Sequence, residues 1–307
     1  MHILTAEQFD TRALDSLFSQ AVDLRELDTS IESRQQLVSR HLGRQLCTLF
    51  YEPSTRTRLS FEQAAVKLGA GVVSTESAGA FSSAAKGETL EDTIRVLNEY
   101  NFDAIVIRHP ETGSAALAAS VSSIPIINAG DGSGEHPTQA LLDMFTIQQA
   151  HKRLSSLNVV MGGDLKHGRT VRSLAQLLCK YPDNKISFVS VPELQIGEDI
   201  KVQLEEYGLR YEETVDMYDA LRTADVVYWT RLQKERLDNP EAVPLNQFVL
   251  NTTALEVLPS TAIIMHPLPR VGEISSDIDA DPRAMYFRQA GNGLYIRMAL
   301  LDGIMTS

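Results

Sequence analysis

The chain has 307 residues, 43% hydrophobic and 22% charged, an ordinary globular composition that excludes a disordered, collagen-like or low-complexity protein. At about 150 residues per domain, this length predicts two domains, each able to bury its own core. Twenty-eight basic against 40 acidic residues give a net charge of −12, which argues against a broad nucleic-acid surface; any anionic ligand must be held by local positive groups against the overall field.

Thr5-Ala6-Glu7-Gln8 reads as a capping box opening a helix, with Leu14, Leu17, Phe18, Ala21 and Val22 following at helical spacing. Strands are predicted at 45–50, 71–75, 104–107 and 124–127, with helices at 57–68, 90–100 and 113–121. The second half repeats the theme, with strands at 158–161, 185–189, 225–229 and 262–265 and helices at 170–180, 198–207 and 216–222. Four strands per half, separated by helices, indicate an α/β fold of two doubly wound domains, each a central parallel sheet flanked by helices. The expected domains are 1–135 and 136–289, with helix 136–150 bridging the halves and the C-terminal helix, 290–307, returning to the first. Glu205-Glu206 and Glu212-Glu213 read as solvated faces. Two cysteines, Cys47 and Cys179, are too few for a disulfide framework or multi-Cys zinc site, and their apolar neighbours point to buried, reduced thiols. No apolar run reaches the roughly 18 residues of a membrane span, and Met1–Thr5 shows no basic region followed by an apolar run, so no signal peptide is expected. The expectation is a cytoplasmic chain with no membrane or nucleic-acid partner.

In open α/β sheets ligands bind beyond the carboxyl ends of the strands. Six predicted strands end in dense polar sequence: Tyr51-Glu52-Pro53-Ser54-Thr55-Arg56-Thr57-Arg58, Arg108-His109-Pro110, Asn128 through His136-Pro137-Thr138-Gln139, Gly162-Gly163-Asp164 through Arg169-Thr170, Thr230-Arg231 through Arg236, and His266-Pro267-Leu268-Pro269-Arg270. One such loop means little, but six on one predicted face look like a site. Ser54-Thr55-Arg56-Thr57 has the form of a phosphate cradle at a helix N-terminus, with Arg56 adding a charge-assisted fork. For an isolated Ser-Thr-Arg-Thr, an N-capping segment would be the default. No Walker sequence and no strand-linked G-x-G-x-x-G occurs; Gly130-Asp131-Gly132-Ser133-Gly134 reads as a flexible turn presenting His136.

Three of the seven histidines, His109, His136 and His266, precede proline. Without a His-x-x-x-His or carboxylate cluster they argue weakly for a metal. A satisfied structural role is the default for each; for His136, with Gln139 one turn on, hydrogen bonding to a ligand competes. Arg169 and Arg231 both fall at strand exits, which a surface-arginine reading does not explain. Two guanidinium forks there suit a carboxylate-bearing second substrate.

Together these stretches resemble the transcarbamylase family. Asp164-Leu165-Lys166-His167-Gly168-Arg169-Thr170, Arg231-Leu232-Gln233-Lys234-Glu235-Arg236 and Tyr286-Phe287-Arg288-Gln289-Ala290 resemble its aspartate branch in particular. The match runs from about Phe50 to Leu301. The ornithine branch carries His-Cys-Leu-Pro where this chain has His266-Pro267-Leu268-Pro269, and a Ser-Met-Gly motif that is absent here.

The resemblance implies transfer of a carbamoyl group from carbamoyl phosphate to L-aspartate, giving N-carbamoyl-L-aspartate and phosphate in pyrimidine biosynthesis. It implies no metal or cofactor, a homotrimer whose active sites are shared between subunits, and possible regulatory chains. Ser54, Thr55, Arg56 and Thr57 would hold the phosphate; Thr57, Arg108 and His136 would contact the carbamoyl oxygen, and Gln139 the amide. Ser82 and Lys86 would reach in from the adjacent subunit, Lys86 toward both substrates. Arg169, Arg231 and Gln233 would bind aspartate, and the Leu268 backbone would accept a hydrogen bond at the reacting centre. Glu52 with Arg169 and Arg236 resembles the ion-pair set of a closed state. The chain departs from relatives at Ala85, where some have a second lysine, and at Gly272, where some have an acid or Asn. A transcarbamylase for another amino acid, or a non-catalytic assembly subunit on the same fold, are the alternatives.

Overall fold

The computed structural model describes residues 1–78, 87–231 and 248–306. Apolar strand runs without polar alternation must be buried on both faces, which is the signature of parallel sheets covered by helices. The first sheet holds β1 (Gln45–Phe50), β2 (Gly71–Glu76), β3 (Ala104–His109) and β4 (Ile126–Asp131) in the order β2-β1-β3-β4, all parallel. The second holds β5 (Asn158–Gly162), β6 (Lys185–Val189), β7 (Arg210–Thr214), β8 (Val226–Trp229) and β9 (Ile263–Met265) in the order β7-β6-β5-β8-β9, also parallel. The helices are α1 (Thr11–Leu27), α2 (Ile31–Val38), α3 (Thr55–Lys67), α4 (Leu90–Asn98), α5 (Ser114–Val121), α6 (Pro137–His151), α7 (Arg169–Leu178), α8 (Glu198–Glu206), α9 (Met217–Leu221), α10 (Thr252–Val257) and α11 (Tyr286–Thr306). Among the described residues no helix is long and apolar enough to cross a membrane.

The chain forms two compact units, Met1–Leu142 with Gly291–Ser307, and Asp143–Ala290. The division falls inside α6, whereas the sequence reading sets it at residue 136, before the helix. The strand order reverses between β1 and β3 in the first sheet and between β5 and β8 in the second. Such switch points open a crevice at the carboxyl ends of the strands.

Several expectations change. Helix α1 opens at Thr11, not in Thr5–Gln8, because Asp10 Oδ1 accepts the Ala13 N–H at 2.7 Å. Gln8 Oε1 still accepts the Leu4 and Thr5 N–H groups, at 2.7 and 3.1 Å, so half the capping box closes a turn that no helix follows. Strand β4 starts after Pro125 and continues through Asn128 to Asp131. The second sheet has a fifth strand, β7, whose Arg-Tyr-Glu-Glu-Thr sequence hides it. As an edge strand it tolerates charge, and Glu212 and Glu213 pair with Lys185 and Lys201, both at 2.8 Å.

In the first unit, α11 is tied down by carboxylates. Asp302 accepts hydrogen bonds from Arg40, His41 and Gln20 at 2.6–2.8 Å. Burial pushes the Asp302 carboxyl up, but these donors outweigh it and hold it below its ordinary range. In the second unit Trp229 is fully buried among Val160, Val189, Phe248 and Tyr286, its Nε1 donating to the Phe248 carbonyl at 2.9 Å.

Candidate active site

At the first switch point, β1 and β3 are in register with Phe50 opposite Arg108, and the Tyr51 N–H donates to the Arg108 carbonyl at 2.8 Å. The turn Glu52-Pro53-Ser54 therefore leaves β1 beside the end of β3 and enters α3. Ser54 is the N-cap but makes no side-chain capping bond, so its hydroxyl is not spent closing the helix. Thr55 and Arg56 are exposed on the first turn and Thr57 is buried. The free N–H groups of that turn and the helix dipole favour an anion.

Arg108 lies in β3 itself, one residue inside its end, and is 9% exposed. Its Nη1 donates to the Ala129 carbonyl at 3.2 Å, and its Nη2 pairs with Glu52 Oε1 at 3.2 Å. Its Nε has no hydrogen-bond partner among the described residues. Partial burial, and after it the positive charge of Arg108, holds the Arg56 guanidinium below its ordinary value. Two cations within electrostatic reach of each other at a helix N-terminus make a strong field for a multiply charged anion. The closed-state reading pairs Glu52 with Arg169 and Arg236; the described partner is Arg108, and Arg236 lies outside the described residues.

His136 and Gln139 follow β4. Asp131 at the strand end accepts the Gly113 N–H at 3.0 Å and the Glu135 N–H at 2.9 Å. A Cβ at Gly132 would stand 2.7 Å from the Pro110 carbonyl. The 130–134 glycine turn is thus pinned, not flexible, and it delivers a 4% exposed His136 to the N-terminus of α6. Pro137 then takes the first helical position, where its missing N–H costs nothing. His109, by contrast, is structural: its Nδ1 accepts the Glu111 N–H at 3.1 Å and lies 2.8 Å from Ser114 Oγ. Burial pushes its pKa down.

At the second switch point, Gly163 at φ +105° passes close to Thr230, where a Cβ would stand 2.2 Å from the Thr230 carbonyl. Asp164, fully buried, accepts the His167 N–H at 3.0 Å and caps the turn that leads to Arg169 at the start of α7. Thr230 donates its N–H and hydroxyl to the Gly162 carbonyl at 2.9 and 3.0 Å, and Arg231 follows, half-buried. Arg169 and Arg231 therefore leave adjacent strands β5 and β8. Beyond β9, Leu268 sits at φ +55°. Ser82, Ala85, Lys86 and Gln233 lie outside the described residues.

Gly272 sits at φ +110° with nothing within 4 Å of an added Cβ. That angle lies beyond the left-handed helical well near +57° that Asn and Asp enter. Gly272→Asp is expected to cost about 1–2 kcal/mol through the backbone alone, read as a lower urea midpoint at constant m. An unchanged midpoint would mean that the loop relaxes freely.

Sequence reading missed a buried polar set in the second unit, Asp143, Tyr228, Glu273 and Gln289. One signal was available: Asp143 interrupts the apolar run Ala140-Leu141-Leu142-Asp143-Met144-Phe145, and an acid there must find partners. Among the described residues no group of three or more His, Cys, Asp or Glu side chains converges as a metal site would need.

Comparison with known proteins gives this arrangement a context. A family model described as the aspartate/ornithine carbamoyltransferase carbamoyl-P binding domain matches residues 1–149, and the corresponding Asp/Orn binding domain matches residues 155–304. The rice protein (Oryza sativa subsp. japonica) named chloroplastic aspartate carbamoyltransferase is 51% identical over 97% of this chain and 83% of its own length. The catalytic subunit of M. jannaschii aspartate transcarbamoylase superposes with a TM-score of 0.91 at 40% identity, covering 99% of this chain and 98% of that one. Aspartate transcarbamoylase from Trypanosoma cruzi, crystallised with carbamoyl phosphate and aspartate, gives a TM-score of 0.89 at 37% identity, covering 98% and 95%. With both of its units matched over nearly their whole length, the chain belongs to the aspartate/ornithine carbamoyltransferase family.

Proposed function

We propose that the chain transfers the carbamoyl group of carbamoyl phosphate to the amine of L-aspartate, an early step of pyrimidine biosynthesis. The observation that carries this reading is the paired Arg56 and Arg108 at the β1/β3 switch point, beside a helix N-terminus rich in hydroxyls. In this reading the first unit, which holds His136 and Gln139, binds carbamoyl phosphate, and the second unit, Asp143–Ala290, binds aspartate.

Ser54, Thr55, Arg56 and Thr57 hold the phosphate. Thr57, Arg108 and His136 donate to the carbamoyl oxygen, and Gln139 accepts from its amide. The substrate amine attacks the carbonyl carbon, the oxygen gains negative charge, and these donors stabilise it. The C–O bond to phosphate then breaks and phosphate leaves with the electron pair. The departing phosphate accepts the amine proton, so no protein base is required. The protein's contribution is to juxtapose two substrates and stabilise an oxyanion. Arg169, Arg231 and Gln233 hold the aspartate carboxylates. Ornithine would place an ammonium against Arg231, and an unpaired buried charge costs about 3–5 kcal/mol, a discrimination of hundreds-fold or more.

The same reading includes a homotrimer in which Ser82 and Lys86 complete a neighbour's site. It is supported by the outer surface of the first unit, where Leu59, Val66 and Val73 are 50–54% exposed on α3 and β2. A cytoplasmic location fits two free, buried thiols. Mixing Lys86→Ala and Arg56→Ala chains is expected to restore activity that neither parent has, because a hybrid trimer contains one intact site. Mixed trimers without any rescue would argue against shared sites.

The test of the reaction is product formation by the purified chain with carbamoyl phosphate, offering L-aspartate and L-ornithine in parallel. Carbamoyl-aspartate alone is the expected product. Carbamoyl-ornithine would keep the phosphate cradle and overturn the aspartate assignment. No product with either, from folded protein, would overturn the reading that the chain catalyses by itself.

A further inference from the structure

The second unit buries a polar network around the end of β9 that the reaction above does not use. Asp143, Tyr228, His266, Glu273 and Gln289 are 0–6% exposed. Tyr228 donates its hydroxyl to Asp143 Oδ2 at 2.8 Å, and Gln289 Nε2 donates to Asp143 Oδ1 at 2.6 Å. Gln289 Oε1 accepts the His266 backbone N–H at 2.8 Å. The His266 ring accepts the Leu268 N–H at Nδ1, also at 2.8 Å. A ring that accepts at Nδ1 carries its proton on Nε2, which lies 2.8 Å from Glu273 Oε1 and donates to it. Glu273 Oε2 accepts the Val271 N–H at 2.9 Å. The chain of bonds ends on Leu268, whose φ of +55° is uncommon for any residue but glycine.

Asp143 sets the direction of the whole series. A carboxylate can only accept, so Gln289 must turn its NH₂ toward Asp143 and its carbonyl toward the His266 N–H. A reversed amide would set two N–H groups against each other. Held at its backbone by Gln289 and at its ring by Glu273, His266 then fixes the left-handed Leu268. We propose that Asp143 and Gln289 are positioning residues that set the 266–268 backbone, so that the Leu268 carbonyl meets the reacting centre. This rests on the proposed reaction and on the hydrogen bond that the family resemblance implies for the Leu268 backbone at its reacting centre.

The test exchanges the polarity of the pair. Gln289→Glu sets a second carboxylate against Asp143, so kcat should fall by about tenfold or more, while the KM for carbamoyl phosphate stays within about twofold. The variant should regain activity as pH is lowered, because one shared proton restores a donor; the unmodified chain should show no such gain. Adding Asp143→Asn lets the new amide at position 143 donate to the new carboxylate at position 289, which accepts the His266 N–H. The double variant should return to within about threefold of the starting rate. A purely structural role predicts lost thermal stability without the pH signature or the rescue. A folded Gln289→Glu chain with unchanged kcat and aspartate KM, or a folded double variant without recovery, overturns the proposal. Should Gln289→Glu fail to fold, Gln289→Asn, one methylene too short to bridge, carries the same expected loss, and wild-type kinetics from it overturn the proposal equally. If the unmodified chain makes no carbamoyl-aspartate, the reading of the reaction itself fails; turnover by it with indifferent variants overturns only the positioning role.

Discussion

Arg108→Ala will form carbamoyl-aspartate about 10³-fold more slowly, or worse, while keeping its fold. Removing one oxyanion donor costs about 10²–10³ in rate, and this substitution also removes a charge that the phosphate needs. The fold should survive because little depends on the side chain. Its ion-pair partner Glu52 is 40% exposed and can turn to water, and the carbonyl of Ala129 loses a single 3.2 Å bond. Loss of the guanidinium also removes a cation that disfavours the charge on Arg56. Arg108→Lys should recover little, since an ammonium cannot serve the Ala129 carbonyl, Glu52 and a substrate oxygen with the fork's geometry. Steady-state rates beside a thermal melt decide the matter. A folded Arg108→Ala chain within tenfold of the wild-type rate would remove Arg108 from the reaction.

Gly162→Ala carries the second large effect, this time on the fold. Gly162 ends β5 opposite Trp229 of β8, and a Cβ there would stand 2.1 Å from the Trp229 ring. The ring has nowhere to go: it is fully buried and its Nε1 is fastened to the Phe248 carbonyl at 2.9 Å. The strands cannot part cheaply either, because Thr230 closes on the Gly162 carbonyl with both its N–H and its hydroxyl. Overpacking of this kind costs about 3 kcal/mol. Since Arg231 follows Thr230 directly, the displacement should also raise the KM for aspartate more than that for carbamoyl phosphate. Urea unfolding and the two KM values check this, and an unchanged midpoint would show that the Trp229 ring yields.

The fold was legible wherever local pattern and tertiary setting agreed. Buried central strands such as β1, β3 and β6 read directly from their apolar runs, because a strand covered on both faces has no polar face to confuse it. Strand β7 escaped notice because an edge strand carries charge, and Arg-Tyr-Glu-Glu-Thr has the composition of a surface turn. The misplaced start of α1 shows that Thr5–Gln8 and Asp10 both satisfy capping rules, and only packing of the apolar face chooses between them. In the site, charged and hydroxyl residues after apolar strands announced themselves, as Ser54 to Thr57, His136 and Arg231 do. Arg108 was expected after the strand, and the structure places it inside β3. Asp143 shows in the sequence only as an acid inside an apolar run, and the link of Asp143 and Gln289 to Leu268 exists only in three dimensions.

The two arginines of the first unit also bear on the protein's thermodynamic design. With no anion beside it, Arg56 holds its charge at a cost in the folded state, from burial first and from the nearby charge of Arg108 second. An anion that binds the folded chain raises its stability by mass action, about 2.7 kcal/mol at a hundred times its dissociation constant. The first substrate is therefore also a stabiliser of the chain that consumes it. Selection for a tight phosphate cradle and selection for a robust unliganded protein pull in opposite directions at these two positions, a compromise between activity and stability. Variants that relax it, Arg108→Ala among them, should melt no lower than the parent in the absence of substrate and lose the protection that substrate confers.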